Sequence, residues 1–377
     1  MDFSLTDEQR MLVSSTRQLL ARNSPIDRVR NLVEKGEGGY DPGVWELGSE
    51  LGWAALTVPE EYGGLGRDLV DVALIAQEHG KTVQPGPLIS NALVAEAISR
   101  SDCVELQAEV LPRLATGEAV ATWAYAEPRQ PWAAEGVQTI AIEKVDGYRL
   151  TGVKTAVQDA QTARWILVTA RLDGSLAQFL VDRDSPGLTV RRQRTLDITR
   201  HFDAIRLDDV LVAASAIVAT AGEGGQAVER QLRCGAVLIC AESLGVGQTV
   251  LDMTVEYAKL RVQFGRPIGS FQAVKHKCAT MRMWLQASTA ATYYAAMAVA
   301  ADTDDAAEAA SVAKAYTSAA IANLTSEALQ VHGGIGFTWE HDLHLYHRRA
   351  KANQMLFGDP FAHHERLAAA VEASTAP

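Results

Sequence analysis

Apolar positions change their period twice along this chain, and the two changes divide it into three zones. From residue 1 to 120 the pattern is helical. Leu12, Thr16, Leu19 and Leu20 recur at steps of three and four, which puts them on one helix face. Thr6 or Ser4 caps that first helix, and Asp7 and Glu8 follow in its first turn, where the helix dipole favours acids. Pro59 to Gly66 reads as a loop because three of its last four residues are glycine. A helical pattern resumes over Asp68 to Glu78.

From 121 to 220 the period shortens to two. Gln138 to Lys144 alternates, with Ile140 and Ile142 on one face, and Asp146-Gly147 follows as a hairpin turn. Trp165 to Thr169 and Ala177 to Val181 read as strands on either side of a second Asp-Gly turn, Asp173-Gly174. Ser185-Pro186-Gly187 marks a further turn. Short strands with frequent turns predict a small β-barrel or sandwich. From 221 to 377 the helical period returns. Val237, Ala241, Leu244, Gln248, Leu251 and Val255 form one stripe, and Val274, Cys278, Met281 and Leu285 another. A third runs through Ile321, Leu324, Ala328 and Val331, so the zone predicts a helix bundle. The fold class is thus mainly α with a central β domain.

Composition narrows the function. Lys and Arg number 35 against 46 Asp and Glu, a net charge of −11 that argues against nucleic acid as the partner. No signal sequence or long apolar run is visible, so no membrane span is expected. The four cysteines, Cys103, Cys234, Cys240 and Cys278, form no CxxC pair, which fits buried thiols in a reducing cytoplasm. His341, His344 and His347 stand at steps of three but sit among charged residues, so a polar surface is preferred over a metal site. His363-His364-Glu365 reads as a solvated helix start, and Trp132 and Trp165 as core residues.

Two turns carry candidate chemistry. Arg261-Val262-Gln263-Phe264-Gly265 leads into a helix that opens with Phe271-Gln272. Arginine offers a fork of donors to a pyrophosphate, phenylalanine covers a flat ring, and glycine lets backbone approach closely. On the residues alone, a plain Gly-Arg-Pro turn between bundle helices reads equally well. Gln330-Val331-His332-Gly333-Gly334-Ile335-Gly336 ends a helix. It is a C-cap first, and no Rossmann fingerprint, because no strand precedes it.

Together the two turns resemble the acyl-CoA dehydrogenase family, whose members carry R-x-x-F-G and Q-x-x-G-G in the C-terminal domain. Pro59 to Gly66 is similar to their P-x-x-x-G-G-x-G loop, Glu127-Pro128 to the E-P of their flavin loop, and Gly152-x-Lys154 to the G-x-K of the next β segment. The resemblance covers nearly the whole chain in order. It implies an N-terminal helical domain, a middle β-barrel domain and a C-terminal four-helix bundle. It also implies FAD bound across a subunit interface, an acyl-CoA substrate, an electron-transfer flavoprotein as acceptor, and a tetramer. In such enzymes a carboxylate removes the α-proton and the flavin takes the β-hydrogen as hydride. Carried over, Arg261, Phe264, Gln272, Gln330, Gly333 and Gly334 form the clamp on the adenosine end of a neighbour's FAD.

The sequence departs from the family at the base. The usual Glu before Gly is replaced by Phe357, ahead of Gly358-Asp359-Pro360, and the alternative Glu position on the preceding long helix is Gly235. The carboxylates left as candidates are Asp359, two residues on, and Glu242, seven residues from Gly235 and about 10 Å along the helix. The flavin loop reads Ala126-Glu127-Pro128-Arg129-Gln130-Pro131-Trp132-Ala133, without the usual hydroxyl and G-S-D turn. The ring half is altered while the clamp half is intact. Two readings follow. The chain is one subunit of a hetero-oligomer with a related Glu-bearing chain, similar to the smaller subunit of actinobacterial steroid acyl-CoA dehydrogenases. Or it is a self-sufficient homotetramer with an unusual base. A structural subunit that binds no flavin alone stays open beside them.

Overall fold

The structure, a computed structural model, describes residues 4–35 and 39–375. The first zone forms α1 (Asp7–Asn23), α2 (Ile26–Lys35), α3 (Pro42–Glu50), α4 (Leu69–Lys81), α5 (Leu88–Ser99) and α6 (Val104–Ala115). Thr6, not Ser4, is the N-cap of α1. Its hydroxyl accepts from the amide of Gln9, and the Gln9 side chain accepts from the amide of Thr6, closing a capping box. The glycine-rich loop after Pro59 forms a 3-10 turn and then leads to α4, which Asp68 caps.

The middle zone is one sheet of β1 (Ala121–Ala124), β2 (Ile140–Lys144), β3 (Gly147–Gln158), β4 (Trp165–Leu172), β5 (Ser175–Asp182), β6 (Leu188–Gln193), β7 (Phe202–Val212) and β8 (Ile217–Ala219). Its order is β6-β7-β3-β2-β4-β5-β8, with β1 parallel to β4. Asp146-Gly147 turns the β2–β3 hairpin and Asp173-Gly174 the β4–β5 hairpin. Ile140 and Ile142 share a face as their spacing predicts, but it is the outer one. Both are half-exposed, and Ala141 between them is buried. Leu150, Ile166, Val168, Phe179 and Ile205 fill the inner face.

The last zone contains α7 (Gly224–Leu260), the hairpin strands β9 (Val262–Gln263) and β10 (Arg266–Pro267), α8 (Gln272–Ala300), α9 (Ala306–His332), α10 (Leu343–Met355) and α11 (Pro360–Thr375). The three long helices α7, α8 and α9 pack along one another, and α10 and α11 lie against α9. Among the described residues, α7 is the helix with the length and apolarity to cross a membrane, yet 89% of that stretch is buried inside the protein, as in a core helix. α4 crosses α7 with backbones in contact. A Cβ on Gly80 would stand 1.9 Å from the carbonyl oxygen of Glu242, and one on Gly245 1.9 Å from that of Gln77. That crossing seats the N-terminal helices directly on the part of α7 that carries Glu242.

Candidate functional site

The two glycine turns stand side by side at one end of the bundle. Tyr257, in the last turn of α7, stacks on His332, the last residue of α9, with ring centroids 4.5 Å apart. Arg261 and Gly333 follow these two rings, so the turns they open are neighbours. Arg261, Gln272, Gln330 and Gly334 are exposed. Phe264 is 92% exposed and has φ +52°, while Phe271 meets its edge at 6.1 Å. A non-glycine residue in the left-handed region costs roughly 1–2 kcal/mol, and the ring of Phe264 gains only the edge contact with Phe271 in return. Gly333 has φ +64° and needs to be glycine for that reason. Gly334 has no such need: its φ is not left-handed, and a Cβ there would meet nothing within 4 Å. These features of Phe264 and Gly334 suit an external flat ligand.

At the other end of the expected flavin site, buried groups pin the loops together. Lys154 Nζ donates to Glu127 Oε1 at 2.8 Å, and that oxygen also accepts from the amide and hydroxyl of Thr139 at 2.9 and 2.7 Å. Burial pushes the carboxyl of Glu127 up, but Lys154 and Thr139 outweigh it and hold it below its ordinary value. Burial lowers Lys154 to about 8. Glu127-Pro128 and Gly152-x-Lys154, two separate motifs in sequence, are thus two ends of one ion pair.

Between these loops lies an aromatic cluster. Trp123 stands 4.9 Å from Tyr125, Tyr125 5.9 Å from Trp132, and Trp132 5.2 Å from Phe357. The space left among Trp123, Trp132, Ala156, Gln158 and Phe357 is about 30 Å³, roughly one water molecule. Phe357 lies directly on Gly235. A Cβ at Gly235 would come within 2.4 Å of its ring. Phe357 has φ +57° and is held from behind. His363 Nε2 donates to its carbonyl at 3.0 Å, and the buried Lys314 donates to the carbonyls of Asn353, Gln354 and Gly358. His363 is therefore buried, not solvated as its sequence context predicts, and burial lowers it to about 4.

The two candidate carboxylates have other partners. Asp359 Oδ1 accepts from the amide of Ala362 at 2.8 Å, within the first turn of α11. Glu242 is buried. Its Oε1 accepts from Arg349 Nη1 at 2.7 Å and its Oε2 from Arg200 Nη2 at 2.6 Å and Asn353 Nδ2 at 2.8 Å. Burial alone would push this carboxyl up; the guanidiniums of Arg200 and Arg349 outweigh it and hold it at about 2. A carboxyl held low in the folded chain contributes stability that is whole above its ordinary value of 4.5 and is lost as pH falls towards about 2. The urea midpoint should therefore drop through that window, and Glu242→Gln should flatten the drop. An unchanged slope would mean that Glu242 titrates as an ordinary carboxyl.

Sequence reasoning singled out Gly235 and Phe357 separately but not that the two residues touch. The signal was available as a complementary change of volume, the smallest residue at one position and a large ring at the other. It also missed Arg200 and Arg349, whose guanidiniums hold Glu242. Among the described residues no group of histidines, cysteines and acids forms a metal site. His341 packs edge-on to His332 at 4.9 Å, and His344 stacks on Trp339 at 4.7 Å.

This three-part fold, with two glycine turns side by side on its last bundle, belongs to the FAD-dependent acyl-CoA dehydrogenases, oxidoreductases of acyl-CoA thioesters. Family models for the acyl-CoA dehydrogenase N-terminal, middle and C-terminal domains match residues 6–118, 122–210 and 222–371. Acyl-CoA dehydrogenase IpdE2 of Mycolicibacterium smegmatis is 33% identical over 368 residues, covering 97% of this chain and 100% of that protein. Among solved structures, a variant of the Tcur3481–Tcur3483 steroid acyl-CoA dehydrogenase is 30% identical, with a TM-score of 0.90 over 98% of this chain and 99% of that one. The butyryl-CoA dehydrogenase of Megasphaera elsdenii is 27% identical, with a TM-score of 0.91 over 99% and 100%. Against FAD the two halves of the site behave differently. The residues of the clamp suit its adenosine end. The ring end is crowded, since Trp132 and Phe357 stand 5.2 Å apart beside Trp123.

Proposed function

We propose that this chain is the base-less subunit of a hetero-oligomeric acyl-CoA dehydrogenase. It grips the adenosine end of FAD whose flavin ring is seated on a related chain that carries the glutamate. The carrying observation is the contact of Phe357 with Gly235. The resemblance makes residues 235 and 357 the two base positions of the family, and the contact of a hydrocarbon ring with a glycine there supports the reading. Glu242 does not substitute, because a base must reach its proton within about 3 Å or through one water, and both its oxygens are held by cations. Asp359 is spent on the start of α11. Arg261, Phe264, Gln272, Gln330, Gly333 and Gly334 are the clamp.

The likeness to the Tcur3481–Tcur3483 steroid acyl-CoA dehydrogenase supports this reading, and it makes a bulky polycyclic acyl group the substrate we propose for the assembly. A tetramer of two unlike pairs, an electron-transfer flavoprotein as acceptor and a cytoplasmic location complete the proposal. The test is flavin absorbance against protein concentration. Expressed alone, the chain should hold far less than one FAD. Expressed with a Glu-bearing relative at equal stoichiometry, the assembly should hold FAD and oxidise acyl-CoA. One FAD per chain in the protein alone would sink the reading.

A further inference from the structure

Three arginines at one edge of the middle sheet carry charge that the chain leaves uncompensated. β6 ends the sheet on that side, with β7 as its strand neighbour. Arg191 and Arg192 stand on β6 and Arg194 follows it directly. All three are exposed, and among the described residues none has an ion pair. Arg149, Arg164, Arg183 and Arg206 of the same domain each face an aspartate. Arg348 of α10 extends the patch: its Nη1 donates to the carbonyl of Leu196 at 3.1 Å, and among the described residues it too lacks an ion pair. Leu196 itself is 57% exposed, an apolar spot beside the arginines. Two acids lie close by in the fold, and neither forms a salt bridge with the patch. Asp203, the register partner of Arg192, is buried with its Oδ2 turned to the amide of Gln161, so Arg192 acts on it only through its field. Asp197 is buried and bound to Arg349.

With 46 acids against 35 bases, carboxylates are plentiful in this chain, yet none is spent here. An edge strand also presents backbone N–H and C=O groups to whatever lies alongside it. The arginines decide what that is. A second copy of β6 would set arginine against arginine, and like charges across a strand pair repel. An acidic strand meets both demands at once, because its backbone continues the ladder and each carboxylate takes a guanidinium fork. Duplex nucleic acid and an anionic membrane have the right sign, but each engages a broad cationic face, and a body of net charge −11 repels both. A short acidic segment touches the patch alone, and charges more than a screening length away do not reach it.

We propose that this edge docks an acidic segment of a partner protein, laid as an extended strand along β6 with its carboxylates on Arg191, Arg192 and Arg194. The test is fluorescence anisotropy on the full chain with fluorescein-labelled octaglutamate and a labelled thymidine octanucleotide, and co-sedimentation with phosphatidylglycerol vesicles. Octaglutamate should bind once per chain, more tightly than the octanucleotide, and more weakly as salt rises. Arg191→Ser, Arg192→Ser and Arg194→Ser together should weaken it by about tenfold or more, with the thermal midpoint unchanged because all three side chains are exposed. Arg191→Lys, Arg192→Lys and Arg194→Lys together keep the charge and lose the fork, and should bind between the two. Arg22→Ser, which removes an exposed arginine from α1, should bind as wild type does. In the bound chain, hydrogen exchange should slow at the amides of β6 and not at β8, the opposite edge. No saturable binding, equal binding by the triple serine variant, binding that leaves β6 unprotected, or tighter binding of the octanucleotide or the vesicles would overturn the proposal.

Discussion

Arg349→Met should destabilise the chain by about 3–5 kcal/mol, the cost of leaving a buried charge without its partner. Arg349 is fully buried and uses every donor it has. Nε reaches Asp197 Oδ2 at 2.6 Å, and Nη1 reaches Glu242 Oε1 at 2.7 Å and the carbonyl of Gln84 at 3.5 Å, while Nη2 reaches the hydroxyl of Thr199 at 2.7 Å and the carbonyls of Val83 and Thr199 at 3.1 Å. Asp197 and Thr199 lie between β6 and β7, Val83 follows α4, Glu242 is on α7 and Arg349 on α10. The guanidinium therefore joins all three parts of the fold. With Arg200 it balances Asp197 and Glu242, two charges of each sign. Methionine keeps the volume and leaves an excess negative charge in the interior. Arg349→Lys should rescue little, since one ammonium cannot reproduce the planar fork. Urea melts of the three proteins decide it. A loss below about 1 kcal/mol would place the cluster within reach of water, where such pairs contribute little.

The sequence made some of this legible and hid the rest for identifiable reasons. Element types were readable because period survives in the sequence. The Asp-Gly turns at 146–147 and 173–174 bound their hairpins, and α8 opens at Gln272. Which face of a strand points inward is not set by alternation alone. Ile140 and Ile142 alternate correctly and face out, because the inner side is already filled by residues such as Leu150 and Phe179. The proposed clamp residues could be singled out in sequence because each half is a contiguous turn, and the structure sets the two turns side by side. The crowded ring site could not. Trp123, Trp132, Gly235 and Phe357 come from four separate segments, and only the fold shows that Phe357 lies on Gly235 and packs beside the two tryptophans. Glu242 illustrates the same limit. Helix spacing puts it on the face of Gly235, but Arg200 and Arg349, 42 and 107 residues away, decide its protonation.

Gly334→Val should leave the folding of this chain unchanged and, on the proposed function, remove FAD from the assembly with a Glu-bearing relative. The argument rests on the difference between Gly334 and the glycines around it. Gly333 has φ +64°, so a side chain there strains the backbone, and Gly336 would bring a Cβ within 2.9 Å of His332. Substitution at either confuses stability with binding. Gly334 has neither constraint, and its Cβ would project into open space. Valine there costs the isolated chain little, since the residue stands in an exposed 3-10 turn after the α9 helix. In the assembly the same volume falls where the clamp closes on its ligand. A side chain that holds a ligand surface even about 1 Å off its seat removes the contacts and leaves nothing in exchange. The co-expressed variant should retain less than about a tenth of the wild-type flavin after gel filtration, with an unchanged subunit ratio, and Phe264→Ala should act in the same direction through loss of the exposed ring. If Gly334→Val keeps its flavin while the thermal midpoint of the isolated chain is also unchanged, the paired turns are only a helix terminus, and the grip on FAD has to be sought on another surface.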